Sequence, residues 1–198
     1  ILVAAKYPDG SLARSEDLKR EIDVLAHGSE RLAELDRSLS VAREAYVECG
    51  AQLSARRRSA APVFARTLEK SLADLAMART RCEVRFTTAR GEADWTERGL
   101  EQAEFYISSN PGEDLKPLAR IASGGELSRI MLALKTLGSS DALGKTLIFD
   151  EVDTGIGGAV ADVVGVRLQN LARRFQVLCI THLPQIAAYG GTHLSIAK

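Results

Sequence analysis

The sequence has no uninterrupted apolar run long enough to cross a bilayer as a helix, and no signal-peptide pattern opens it. No membrane partner is therefore expected, and a cytoplasmic location is. Cysteine is scarce: Cys49, Cys82 and Cys179 are widely scattered, odd in number and without CxxC spacing, which reads as reduced, mostly buried thiols. There is no excess of charge of either sign, since 26 Lys and Arg balance 26 Asp and Glu, so no global basic field advertises a polyanionic partner. A phosphate-cradling G-x-x-x-x-G-K-[ST] loop is missing as well. The sole candidate, Gly144-Lys145-Thr146, has Gly138 one residue too far upstream and leads into a strand rather than a helix.

What is present is a patterned arm followed by a mixed lobe. Tyr7-Pro8-Asp9-Gly10 reads as a turn, with Ser11 or Ser15 capping the helix that follows. Leu18, Ile22 and Leu25 mark one face, His27-Gly28-Ser29 is expected to interrupt it, and Leu32, Leu35, Leu39, Ala42, Tyr46, Cys49 and Leu53 resume it. That alternation of threes and fours is the seam of a coiled coil, and one narrow stripe needs an antiparallel partner helix that this sequence does not contain. Pro62 is expected to break the rod and start a new helix, with Phe64, Leu68, Leu72 and Leu75 on its face, ending near Ala78. The expected division is an arm over 1–78 and a lobe over 79–198.

In the lobe the period switches to two. Cys82, Val84 and Phe86, then Ala103, Phe105 and Ile107, predict a β-hairpin whose long acidic connection holds Trp95, the only tryptophan, as a surface anchor. Asn110-Pro111-Gly112 stops the second strand. A glycine-rich turn, Ser123-Gly124-Gly125-Glu126, feeds the amphipathic run Leu127, Ile130, Met131, Leu134 and Leu137. Free N–H groups at such a helix start favour anions, yet Ser123 as cap with Glu126 as its capping-box partner explains the same residues. Thr146 to Phe149 reads as a buried strand ending in Asp150 and Glu151, and Val177 to Ile180 as a second ending at Thr181-His182. A helix from Gly158 to Arg174 would cross between them as a βαβ unit. A last short strand is expected over Thr192 to Ala197.

These pieces, in this order, resemble a known family. Leu118 to Arg129 is similar to the signature motif of ATP-binding-cassette ATPases, Leu147 to Glu151 to their Walker B strand, and Thr181-His182 to their switch histidine. Within that superfamily Phe149 to Ile156, Thr181 to Ala187 and Ser109 to Glu113 resemble the bacterial RecN family of SMC-like DNA-repair ATPases, over roughly Phe105 to Leu194. The resemblance implies an α/β fold: the C-terminal lobe of an ABC/SMC-type P-loop NTPase head preceded by a long coiled-coil arm. The P-loop lobe would lie outside this chain, which is expected to be part of a longer protein and inactive alone.

The resemblance also implies roles. A second head, as in a homodimer, would sandwich two ATP molecules, with Ser123, Gly124, Gly125 and Glu126 meeting the γ-phosphate bound by the other head. Asp150 would support Mg²⁺ through water, Glu151 would polarise the attacking water, and His182 would contact the γ-phosphate. Asp153 and Gly157 would belong to the loop lining the partner head; Gly157 stands where many relatives carry an aspartate. DNA, as ends or single strands, is the implied macromolecular partner at the nucleoid. Arg56-Arg57-Arg58 and Arg79, Arg81 and Arg85 are then candidate phosphate contacts, or simply solvated helix faces. Another SMC-like or cassette ATPase, such as a transporter subunit, and a coiled-coil scaffold without activity remain open on the residues alone.

Overall fold

Helix α1 (Gly10–Ala73) opens the computed structural model, which describes residues 10–110, 112–121, 123–138 and 145–195. The expected turn at Tyr7 to Asp9, Pro111, Ala122 and the Gly144 turn lie outside these residues. Two compact units result, Ile1–Leu53 and Ser54–Lys198. Residues 54–78, read from sequence as the end of the arm, fall with the second unit.

In the first unit Leu18, Ile22, Leu25, Leu32, Leu35 and Leu39 all stand exposed, so the heptad stripe is displayed along α1. The helix is not interrupted at His27-Gly28-Ser29. His27 Nδ1 bonds to the Asp23 carbonyl at 2.7 Å, the Ser29 hydroxyl donates to Ala26 at 2.9 Å, and the turn stays helical. A single glycine costs a helix about 1 kcal/mol, too little to break one already propagating.

In the second unit α1 also runs through Pro62, contrary to the expected break. An internal proline costs about 3 kcal/mol. Burial of Leu68 and Leu72, both without exposed surface, offsets that cost within the next three turns. The helix stops at Ala73 rather than Ala78. Ala76 adopts φ +61°, and Met77 N–H reaches back to the Leu72 carbonyl at 3.0 Å. This is a Schellman ending with alanine in the left-handed position.

The predicted hairpin is present. Strands β1 (Arg81–Thr88) and β2 (Glu101–Ser108) pair antiparallel with Val84 opposite Phe105, and the short β3 (Lys116–Pro117) adds to β2. Trp95 ends a 3-10 turn in the connection and is half-buried. Next come α2 (Gly124–Leu137), β4 (Thr146–Phe149), α3 (Ala159–Ala172) and β5 (Gln176–Cys179), then the one-turn α4 (Pro184–Ala187). Strands β4 and β5 are parallel neighbours, Phe149 opposite Cys179, with α3 as their crossover. No strand follows among residues 192–195, where His193 Nε2 instead contacts the Gly190 carbonyl.

One core serves this unit. Leu68, Leu72 and Leu75 meet Ile130, Leu132 and Ala133 of α2, Phe149 of β4 and Val164 and Leu168 of α3. Gly165 lets Tyr189 lie against α3, since a Cβ there would stand 2.2 Å from the tyrosine ring. The outer surface of the β4–β5 pair stays apolar and open at Ile148, Leu178 and Ile180.

Candidate functional site

Three segments converge where β4 ends. The first is the start of α2. Ser123 caps the helix, its Oγ accepting from Glu126 N–H at 3.4 Å. Only half of the capping box is seen, because the Glu126 carboxylate turns away to accept from the Ser109 hydroxyl at 2.8 Å. The first residues of α2, Gly124 and Gly125, lie against the loop after β4.

That loop is the second segment. Strand pairing stops at Phe149, and Glu151 takes φ +56°, a left-handed conformation that costs a non-glycine residue about 1–2 kcal/mol. Asp150 Oδ1 accepts from Glu151 N–H at 2.9 Å and its carbonyl accepts from the Ser128 hydroxyl at 2.6 Å. Both carboxylate residues are exposed. The Glu151 carboxylate reaches the glycine turn at the start of α2, lying over Gly124. Gly125 permits an approach by the loop backbone itself: a Cβ there would stand 2.9 Å from Thr154 Cβ and 3.0 Å from the Glu151 carbonyl. Glycine is the residue that permits two backbones to meet so closely.

Arg129, which sequence reasoning overlooked, bolts α2 to the loop. Buried in the core, its Nη1 donates to the Thr154 carbonyl at 2.8 Å and more weakly to that of Val152 at 3.5 Å. Burial draws its guanidinium below the usual arginine value, opposed by the charge of Glu126. Its Nε is buried without a hydrogen-bond partner among the described residues. Arg129 closes the motif-like stretch Leu118 to Arg129, but membership of that stretch did not assign it this role.

The third segment is the end of β5. Ile180 N–H bonds to the Phe149 carbonyl at 2.9 Å, so both strands release their chains side by side. His182 is exposed and faces Asp153, its Nδ1 3.1 Å from Oδ2. Asp153 is buried, at 4% exposure. Burial alone would raise its carboxyl, but hydrogen bonds from Thr181 and from the His182 backbone hold it below the ordinary carboxylate value. Asp153 thus points into the lobe, whereas Gly157 is exposed and a Cβ there would meet nothing within 4 Å. Gly158, at φ +53°, then starts α3.

The donor set bears on a metal. Among the described residues no group of three or more His, Cys, Asp and Glu could hold an ion by itself. A lone exposed carboxylate at Asp150 fits Mg²⁺, which keeps waters and takes its remaining ligands from phosphates. A concavity of about 810 Å³ between α1 and the hairpin, with Phe64, Phe86 and Phe105 in its wall, shares no residue with this site.

The fold defines the class: a mixed α/β unit in which α3 crosses between the parallel strands β4 and β5, entered from one long helix. No protein-family model matches the chain. Curated relatives do. The DNA repair protein RecN of Halalkalibacterium halodurans is 41% identical over 96% of this chain and 34% of its own length, and that of Bacillus subtilis 39% over 94% and 34%. RecN of Treponema pallidum is 48% identical over 77% of this chain and 27% of its own. Among solved structures, the Smc head domain with a coiled coil and joint from Pyrococcus yayanosii superposes at TM-score 0.46, with 16% identity, over 90% of this chain and 31% of that one. The chain belongs to the RecN family, and it spans about a third of the length of the curated relatives it matches. Among its described residues no helix is long and apolar enough to cross a membrane.

Proposed function

We propose that this chain is the signature-bearing lobe of a head that binds and hydrolyses ATP in a protein of DNA double-strand-break repair. The observation that carries the reading is the position of Glu151. Its carboxylate lies at the glycine turn of α2, on a strained backbone held from α2 by Ser128 and Arg129. A carboxylate placed beside an anion-seeking helix start is positioned to take a proton from water next to a phosphate.

The other residues follow from that placement. Backbone N–H groups at Gly124 and Gly125, with the Ser123 hydroxyl and Glu126 beside them, bind phosphate oxygens of the nucleotide carried by a facing second head. His182, through its exposed ring, contacts the γ-phosphate. Asp150 would hold Mg²⁺ through water, and the ion would neutralise phosphate charge when bound. Asp153 and Gly157 belong to the loop between these groups, Gly157 on the side open to a partner head. The P-loop comes from another part of the protein, so the present chain alone is inactive. The arm needs a second helix on the seam it exposes from Leu18 to Leu53, and the lobe over 79–198 carries the chemistry. The name DNA repair protein, borne by the relatives, supports reading DNA as the partner and the nucleoid as the place of action.

Glu151→Gln in the whole protein is the test. The amide keeps the shape but cannot take a proton, so ATP binding should persist while hydrolysis falls by on the order of 10²-fold or more. Hydrolysis at the normal rate would remove Glu151 from catalysis and the reading with it.

A further inference from the structure

Asp153 has a bonding pattern that a loop residue lining a partner head does not need. Its Oδ2 alone accepts two hydrogen bonds and lies against a ring nitrogen. The Thr181 hydroxyl donates at 2.6 Å, the His182 backbone N–H at 3.0 Å, and His182 Nδ1 lies at 3.1 Å. The Thr181 oxygen accepts in turn from Leu183 N–H at 3.1 Å, so one carboxylate organises the whole turn after β5. Asp153 is itself immobilised: Val152 before it is fully buried, and Arg129 holds the carbonyls on both sides of it.

We propose that Asp153 is a positioning residue for His182, acting within one chain. An ionised carboxylate has no proton to give, so it favours the ring form that carries a proton on Nδ1, the nitrogen it faces. Whatever His182 offers the nucleotide it then offers through Nε2, the ring nitrogen with no hydrogen-bond partner among the described residues. The ring is three-quarters exposed while its anchor is nearly sealed, so it is free to meet a ligand yet held in one orientation. Because Arg129 belongs to α2, the path Arg129, loop, Asp153, His182 also ties the signature turn to the histidine.

The inference rests on the proposed role of His182, and the experiment separates the two. In the whole protein, Asp153→Ala should lower kcat for ATP by about 10- to 100-fold, the usual scale for removing a residue that orients a catalytic ligand, with KM little changed. Asp153→Asn keeps an oxygen that accepts the same donors and should recover much of the loss while guarding against a folding defect. In a His182→Ala background, Asp153→Ala should cost nothing further, since both changes remove one function. Nitrogen-15 spectra of labelled histidine should find Nδ1 of His182 protonated in the parent and Asp153→Asn proteins, and no longer so fixed in Asp153→Ala. Losses that multiply in the double variant, or an Nδ1 signal unchanged by Asp153→Ala, would overturn the positioning role. Normal turnover by His182→Ala would instead overturn the role of the histidine, with the nitrogen spectra deciding the anchoring separately.

Discussion

The carboxylate of Glu151 fills the space that a side chain on Gly124 would need: a Cβ there would stand 2.0 Å from Oε2. The neighbouring Gly125 meets backbone instead, the Glu151 carbonyl. Two adjacent glycines therefore protect different things. Gly124→Ala should push aside only a flexible carboxylate, leaving the thermal midpoint nearly unchanged while slowing hydrolysis by up to about 10²-fold, the cost of misplacing a reacting group by 1 Å. Gly125→Ala should force the loop off α2 and destabilise the protein by about 1–3 kcal/mol. Melting curves and turnover on both variants check this; a Gly124→Ala protein with normal turnover would detach the observed Glu151 position from catalysis.

Ser123 separates a capping role from a role across two heads. Loss of a cap alone costs about 1 kcal/mol and leaves assembly intact. If α2 starts against the other head's nucleotide, Ser123→Arg in the whole protein should spare ATP binding but block ATP-driven pairing of heads. Mixed with a P-loop variant, each inactive alone, it should restore part of the ATPase activity, because one composite site in the mixed dimer is intact. Demonstrated heterodimers without activity would argue against the arrangement.

Acid should undo the Asp153 anchor in a defined window. Its folded-state carboxyl lies below the ordinary value of 3.8, so its stabilising contribution is complete above that pH and is lost as pH falls through the lower folded value. Asp153→Asn should therefore be less stable than the parent at pH 7 and closer to it in acid below pH 3.8. Denaturant titrations at the two pH values measure it; a gap that widens in acid would contradict the sign.

The three cysteines should react unequally. Burial, followed by nearby acids, pushes Cys82 and Cys179 up to about 11, so at pH 7.5 only a minute fraction of either is thiolate. Cys49 is exposed on α1. A chromogenic disulfide reagent should find one fast thiol in the native protein and three after denaturation. Rapid labelling of Cys82 or Cys179 in the native state would refute the burial.

Local pattern explains why much of this was readable in advance. The alternation at Cys82, Val84, Phe86 and Ala103, Phe105, Ile107 is a property of single strands, and the hairpin follows it residue for residue. The apolar runs before Asp150 and Thr181, joined by one amphipathic helix, sufficed for the parallel pair β4 and β5. Helix breakers misled, because His27-Gly28-Ser29 and Pro62 were judged by local cost. Hydrogen bonds from His27 and Ser29, and the burial of Leu68 and Leu72, outweigh that cost in the folded chain.

The sequence by itself determined which chemical groups this lobe possesses: a glycine turn at a helix start, two acids after a strand, and a histidine after its neighbour. Motif order is a one-dimensional property and survives without coordinates. Only the tertiary structure decided how they face one another. Asp153 turns inward onto Thr181 and His182 because β4 and β5 release their chains side by side, and Arg129 reaches the Thr154 carbonyl because α2 packs over that loop. Such contacts join residues some 25 to 29 positions apart, and they exist only once the common core has brought their elements together.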